Sequence, residues 1–319
     1  MESHSDRLKR IRKLALALTA LSVLVVLVSA YIRLSGAGLG CASWPDCYGQ
    51  LLSGAASSHS GAVRILHRSV ASLSLLLGFY LAWQCLRPQP VQPLARHATL
   101  LLVLMLALAL VGVWSADPHR AWTSFLNMLG GVGLVALSWR MVVAASPAAT
   151  GLAPARSTAI LHAGLVALAL AIALGALIGA RFAATACMTT PSCAGIWWPA
   201  GEAWGALDPF ARVASPAMPG DAGGVALHLL HRYCAVFAVL LLGIAGLQAQ
   251  AAEGTRKPGT WLLVLLALEF TLGGLTVVSG FSLWLAVGHS VCAAALLAVG
   301  VQLLAQTRLE PVREAVVQR

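Results

Sequence analysis

The sequence predicts an all-α integral membrane protein whose eight transmembrane helices form two pseudo-symmetric four-helix bundles. Of its 319 residues, 59% are hydrophobic and only 10% are charged, whereas about a quarter of a typical soluble domain is charged. The mean hydropathy is +0.83. A helix needs roughly 20 apolar residues to cross a bilayer. The apolar runs that approach or exceed this length are 14–34, 63–86, 98–115, 121–143, 158–180, 224–249, 260–280 and 283–305.

The basic residues predict how these helices are oriented. The first run follows five basic residues within positions 7–13 and lacks a small-residue cleavage site, which is typical of a retained helix. With a cytoplasmic N-terminus, 14 of the 21 basic residues fall in inner segments, as the positive-inside rule expects. We therefore expect a multi-pass protein of a bacterial inner membrane with both termini cytoplasmic. This topology and contact with anionic lipid explain the net charge of +10 without nucleic acid.

The same order of polar residues occurs twice in the chain. This repeat divides the chain into halves of residues 1–150 and 151–319. The first half carries a cysteine pair, a His-Arg pair and an asparagine, namely Cys41, Cys47, His67, Arg68 and Asn127. The second half has the same order but ends on a histidine, with Cys187, Cys193, His231, Arg232 and His289. A separation of 60 residues between His67 and Asn127 matches one of 58 between His231 and His289.

The histidines suggest a heme site. Each of the four repeated positions lies within a few residues of the predicted outer end of an even-numbered helix, so all four have similar depth. Neutral imidazoles from two facing helices can bind a heme iron from both sides, and His231 with His289 offers this pair. The simpler alternative is that each imidazole only hydrogen-bonds within the bundle. His228, one turn before His231, is a secondary candidate as an alternative ligand or as a supporting group.

The arginines and the intramembrane acid add candidate binding groups. Arg68 and Arg232 follow the repeated histidines, where a guanidinium can bind a heme propionate or reach a lipid headgroup. Glu269 is the only acidic residue well inside a predicted span, and ionisable groups there are usually functional. It could donate a proton, pair with an arginine, or stay protonated.

Each cysteine pair, spaced C-x5-C around a proline, falls in a predicted outer loop, at about 35–62 or 181–223. An oxidising periplasm would let both pairs close into disulfides. These would be either loop staples or exposed, redox-active bonds. Zinc is less favoured, because the sulfurs lie in separate loops without the short spacing of structural sites.

Taken in order, these segments resemble the heme A synthase family. The resemblance rests on YIRLSGAGLGCASWPDCYG (31–49), LHR (66–68), NMLGG (127–131), CMTTPSC (187–193), WWP (197–199), HLLHR (228–232), LG (272–273) and LAVGH (285–289). It implies eight membrane helices in two halves and oxidation of a methyl group of heme O to the formyl group of heme A.

The resemblance also implies roles for individual residues. His231 and His289 would hold a heme b, and His67 would face the substrate heme O in the first half. The cysteine pairs would be periplasmic disulfides, with Cys41 and Cys47 nearest the substrate.

Two residues depart from the family pattern in the substrate half. Arg64 stands where a glutamate is usual, and Asn127 stands where a histidine is usual. One hypothesis is an active enzyme in which His67 is a single axial ligand and Asn127 and Arg64 are part of the catalytic site. The other is a heme-b-binding paralogue without synthase activity that serves in heme transfer, electron transfer or oxidase assembly.

A secondary transporter is a third hypothesis, because transporters are often built from repeats, but broken helices and a midplane polar site are not evident. For a heme A synthase we expect heme O synthase and cytochrome oxidase assembly proteins as partners, together with an electron donor of unknown identity. Membrane lipid surrounds the chain, and a homo-oligomer is compatible with the sequence.

Overall fold

The computed structural model describes residues 4–36, 60–146 and 156–307. Within these ranges the chain forms eight long helices, and each is long and apolar enough to cross a membrane. The prediction of an all-α membrane protein with eight spans is confirmed. The helices are α1 (His4–Gly36), α2 (Ser60–Leu86), α3 (Leu94–Val113), α4 (Ala121–Ala144), α5 (Arg156–Ala180), α6 (Ala222–Gln248), α7 (Glu253–Val278) and α8 (Leu283–Thr307).

Several helices extend beyond their apolar runs. In lipid every backbone polar group must be satisfied within the chain, and a helix does this internally. The same hydrogen bonding continues through polar residues outside the hydrocarbon region, so α1 begins at His4 and α7 at Glu253. Polar side chains stabilise helix ends. Asp221 accepts a hydrogen bond from the Gly224 N–H at the start of α6 (2.7 Å), and Arg7 donates to the Gln84 carbonyl near the end of α2 (2.8 Å).

Each half of the chain forms a ring of four helices. In the first ring α1 contacts α2 and α4, and α3 contacts the same two helices. In the second ring α5 and α7 each contact α6 and α8. Each ring has its own apolar core, built around Leu18, Leu81 and Met141 in the first and around Leu161, Leu242 and Leu262 in the second. The even-numbered helices of each ring are therefore diagonally opposite.

The two rings meet along α1, α4, α5 and α8. Trp139 of α4 donates its indole N–H to the Gln302 side-chain oxygen of α8 at 2.8 Å. Near the other end of the interface, the Tyr31 ring of α1 stacks on the Trp284 ring of α8 with centres 5.5 Å apart. The boundary at residues 150 and 151 lies outside the described residues and stays a prediction.

Two connecting segments pack together at one end of the bundle, which we call the loop end. They are residues 114–120 between α3 and α4, and residues 181–221 between α5 and α6. His119 and Val213 pair through a backbone bond of 3.0 Å and a bond of 2.6 Å from the His119 ring to the Val213 carbonyl. The Asp117 carboxylate lies 3.0 Å from Arg120 and 3.4 Å from Arg212, so it joins the two segments.

We predict that Asp117→Asn lowers the unfolding temperature in detergent at neutral pH. Burial acts to raise the pKa of Asp117, but the His119 N–H and the two arginines outweigh it and hold the pKa below the usual 3.8. The ionised carboxylate therefore stabilises the fold above that pH, and the stabilisation is lost as the pH falls through the lowered pKa. The difference between wild type and variant should shrink in acid.

The matched control is Glu202→Gln, which neutralises an exposed acid in the other loop-end segment, residues 181–221. It should leave the unfolding temperature nearly unchanged across the pH range. A difference between wild type and Asp117→Asn that does not depend on pH would contradict the role of the Asp117 charge.

Candidate functional site

His231 and His289 meet in the centre of the second helix ring. His231 is the tenth residue of α6 and His289 is the seventh residue of α8, and these helices are diagonally opposite. The centres of the two imidazole rings are 6.2 Å apart and their planes are nearly perpendicular, at 83°. A metal–imidazole bond is about 2 Å long and the ring centre lies roughly 1 Å beyond the nitrogen, so two axial rings on one metal have centres roughly 6 Å apart. The spacing therefore suits a single metal held between the rings.

Each ring turns its Nδ1 atom toward an oxygen of a neighbouring helix. His231 Nδ1 donates to the Ala171 carbonyl of α5 at 2.8 Å. His289 Nδ1 lies 3.1 Å from the Glu269 Oε1 atom of α7. The geometry of this contact is not that of a hydrogen bond, so His289 Nδ1 has no hydrogen-bond partner among the described residues. Histidines that bind metals usually use their second nitrogen in this way. The arrangement leaves Nε2 of each ring available to a ligand.

Glu269 is a buried carboxyl group beside His289. Its side chain is 14% exposed, and its Oε2 atom is buried without a hydrogen-bond partner in the described chain. A metal bound at His289 Nε2 would make the Nδ1–H a stronger donor toward Glu269. Of the roles weighed for Glu269, the structure supports pairing, but with a histidine instead of an arginine.

Two glycines make room for the imidazole rings. A Cβ atom at Gly175 of α5 would lie 3.3 Å from His231 Cε1, and one at Gly273 of α7 would lie 3.1 Å from His289 Cε1. Both distances are tighter than ordinary carbon contacts. The glycines therefore let α5 and α7 approach the rings. This close approach of the helices restricts rotation of the rings.

The number of protein ligands distinguishes heme from a bare metal ion. The described residues contain no group of three or more His, Cys, Asp or Glu side chains that could hold a metal ion. A porphyrin supplies its own equatorial nitrogens and needs only axial ligands from the protein. The pair of imidazoles with free Nε2 atoms fits heme.

The disulfide loop of the second half is attached to α6 next to His231. The structure contains the Cys187–Cys193 disulfide, as predicted. Arg232 donates to the carbonyl oxygens of Pro191 (3.0 Å) and Ser192 (3.3 Å). Its guanidinium therefore holds the loop, and its binding of a heme propionate stays a prediction.

His228 supports the same region without facing the site. Its Nε2 atom is bonded to the Ala183 carbonyl at 3.0 Å, and the residue is 5% exposed. The ring also makes an edge contact with Phe281, with centres 6.0 Å apart. It anchors the start of the long loop, and His231 is the better candidate ligand.

The corresponding residues of the first half lie on the diagonal helices α2 and α4. His67 is the eighth residue of α2 and Asn127 is the seventh of α4, and both are half-buried. Within the described ranges no hydrogen bond joins the two side chains. Arg64 and Arg68 are exposed on α2. The predicted Cys41–Cys47 pair lies outside the described residues.

Sequence reasoning missed Arg33 as a candidate, although the residue stands within the first family-like segment. Arg33 lies in the last turn of α1. Its Nε atom is buried and has no hydrogen-bond partner in the part of the chain that is described. A charged residue within an apolar run was the available signal, because such residues are usually functional.

Comparisons with known proteins show the family to which the chain is similar. The profile of the family described as cytochrome oxidase assembly protein (COX15-CtaA) matches residues 12–60 and 123–301. Heme A synthase of Shewanella oneidensis is 29% identical over 309 residues, which cover 86% of this chain and 90% of the relative. Heme A synthase of Symbiobacterium thermophilum is 27% identical over 84% of this chain and 86% of the relative.

A relative of a different name is also similar. A Thermus thermophilus protein named Protoheme IX farnesyltransferase is 28% identical over 86% of this chain. The chain spans only 45% of that protein's length.

We predict that Gly273→Ala weakens heme binding by about tenfold or more, the effect typical of changes behind a metal ligand. The added Cβ at 3.1 Å from His289 Cε1 forces the ring to move. Binding is measured by titrating the full-length protein with hemin and following the Soret band.

The neighbouring Gly274 is a matched control, because a Cβ there meets nothing within 4 Å. Gly274→Ala should bind hemin as wild type does. If the two variants bind equally well, Gly273 does not position His289.

Proposed function

Because the chain belongs to the family of cytochrome oxidase assembly proteins that includes the heme A synthases, we propose that it is an oxidoreductase that converts heme O to heme A. The observation that carries this proposal is the pair of imidazoles His231 and His289, with ring centres 6.2 Å apart in a membrane bundle. Oxidation of a methyl group to a formyl group is chemistry that a protein obtains from a cofactor.

In this proposal the second half holds a heme b between His231 and His289. When bound, heme b supplies electron exchange between the substrate and an external redox partner. The Ala171 carbonyl and the Glu269 carboxyl orient the two rings through their Nδ1 atoms. Glu269 Oε1, 3.1 Å from His289 Nδ1, would become the acceptor of the Nδ1 proton when heme b is bound.

The first half would bind the substrate heme O, with His67 as its axial ligand. An asparagine amide is a poor iron ligand, so Asn127 leaves the opposite face of that site without a second imidazole. Arg68 is the candidate partner for a propionate of heme O. Arg64 puts a positive charge one turn before His67, where the family usually has an acid.

A second candidate function is a heme-b-binding paralogue without synthase activity, which acts in heme transfer, electron transfer or oxidase assembly. One observation favours it, because the family profile leaves residues 61–122 unmatched, and these residues include α2 with Arg64 and His67. Asn127, the other altered position, lies within the matched residues 123–301. Both altered positions belong to the half that would bind the substrate, while the imidazole pair of the second half is intact.

We further propose a bacterial inner-membrane location, with cytoplasmic termini and the loop end in the periplasm. There Cys41 and Cys47 would form a second disulfide. The similarity to a protein named Protoheme IX farnesyltransferase supports a heme O synthase as partner. Other partners would be oxidase assembly proteins, an electron donor and possible further copies of this chain.

We predict that His231→Ala or His289→Ala abolishes stably bound heme b, because each removes an axial ligand of the same iron. Asn127→Ala should change the heme content little. Heme content is measured on the purified protein by the pyridine hemochrome spectrum. Equal heme loss from Asn127→Ala would contradict the assignment of the heme b site to the second half.

The enzymatic proposal is tested by purifying the protein from cells that also express heme O synthase and separating its extracted hemes by chromatography. Heme A, or its hydroxylated intermediate, alongside heme B is the expected result. Heme B alone would contradict synthase activity and support the paralogue. Cells that express a His67→Ala variant are the control and should yield no heme A.

A further inference from the structure

Arg33 is a half-buried cation that has no partner among the described residues. It lies in the last turn of α1, and its Nε atom is buried without a hydrogen bond among the described residues. No ion pair is recorded for it in the same part of the chain. A buried charge without a counter-charge is strongly unfavourable. Such a residue therefore indicates an anion that the described residues do not supply.

Arg33 and the His231 ring lie against the same face of α5. Ala171, Gly175 and Gly179 follow one another at every fourth residue and so share one face of α5. The Ala171 carbonyl binds His231 Nδ1, and Gly175 lies against the same ring. A Cβ at Gly179 would lie 3.3 Å from Arg33 Nε. Arg33 Nε and the His231 ring therefore meet α5 at positions one helical turn apart, about 6 Å along its axis, with Arg33 nearer the loop end.

The end of α1 that carries Arg33 is packed into the other half of the chain. Ala30 and Leu34, on either side of Arg33 in sequence, form an apolar cluster with Phe281 and Val287 of the second half. The Tyr31 ring stacks on Trp284 of α8. Arg33 is therefore part of the first half by sequence but borders the heme pocket of the second half.

The arginine next to His231 in sequence has other partners. Arg232 donates to the carbonyl oxygens of Pro191 and Ser192 and keeps the disulfide loop in place. Its guanidinium is thus engaged at the loop, whereas Arg33 makes no hydrogen bond or ion pair with another described residue. Of these two arginines, Arg33 has the greater unused capacity to bind an anion.

We propose that Arg33 binds a propionate carboxylate of the heme held by His231 and His289. The proposal rests on the proposed heme b site. Guanidinium and carboxylate groups match in charge and in planar, bidentate geometry, and the carboxylates are the anionic groups of heme. Heme binding in the second half would then also hold the end of α1 in place across the interface.

A lipid phosphate is the other anion available in a membrane. Arg33 Nε is buried, and its neighbours Gly179 and Met128 belong to the helices of the interface between the halves. This location favours a ligand inside the bundle over a headgroup outside it.

The test compares hemin with hemin dimethyl ester, in which both carboxylates are blocked. Full-length protein from heme-depleted cells is titrated with each compound in detergent. Wild type should bind hemin at least about tenfold more tightly, as expected for hydrogen bonds to a charged group. Arg33→Gln should lose most of this preference because its hemin affinity falls while its ester affinity is kept. Arg33→Lys should show an intermediate preference.

Arg181→Gln is the matched control, because Arg181 also lies at the loop end but donates to the Asp208 carbonyl at an exposed position. It should keep the full preference for hemin. Three results would overturn the role of Arg33. They are no preference in wild type, a full preference in both Arg33 variants, or an equal loss of affinity for both compounds in Arg33→Gln.

The His231→Ala variant separates an error in the proposed heme b site from an error in the assignment of Arg33. If His231→Ala binds hemin as tightly as wild type, the proposed heme b site is wrong. If His231→Ala loses hemin while the Arg33 variants keep the full preference, only the assignment of Arg33 is wrong.

Discussion

The contact of each imidazole Nδ1 with an oxygen of the neighbouring helix is the interaction on which the site depends. In an apolar bundle a polar nitrogen needs a partner within the protein. The Ala171 carbonyl accepts a hydrogen bond from His231 Nδ1, and the Glu269 carboxyl lies 3.1 Å from His289 Nδ1. Because the Nδ1 atoms are directed outward in this way, the Nε2 atoms are left for a ligand at the centre of the ring of helices. The glycines at 175 and 273 make the arrangement possible sterically.

The helix α5 links the separate parts of the molecule. Its inner face provides the carbonyl for His231 and the close contacts at Gly175 and Gly179. Its C-terminal end leads into the loop that carries the Cys187–Cys193 disulfide, and Arg232 of α6 holds that loop. A change at the loop end can therefore reach His231 through two short routes, the backbone of α5 and the neighbouring Arg232.

The two halves share a helix arrangement but differ in their polar groups. In the second half the diagonal helices α6 and α8 bring two imidazoles together, while in the first half the diagonal helices α2 and α4 offer His67 and Asn127. A tightly held cofactor benefits from two axial ligands, whereas a substrate must enter and leave. The single imidazole of the first half is compatible with exchange, and the same asymmetry is compatible with loss of catalysis.

The sequence by itself determined the membrane class, the eight spans and the His231–His289 pair, because apolar runs and repeated spacing are local properties of the chain. It also identified Glu269 as unusual but not its neighbour, since α7 and α8 meet only in the folded bundle. The tertiary structure decided that Arg232 binds the disulfide loop and that Arg33 lies beside α5 of the other half. Both outcomes depend on how helices distant in sequence pack, and neither helical periodicity nor spacing contains that information.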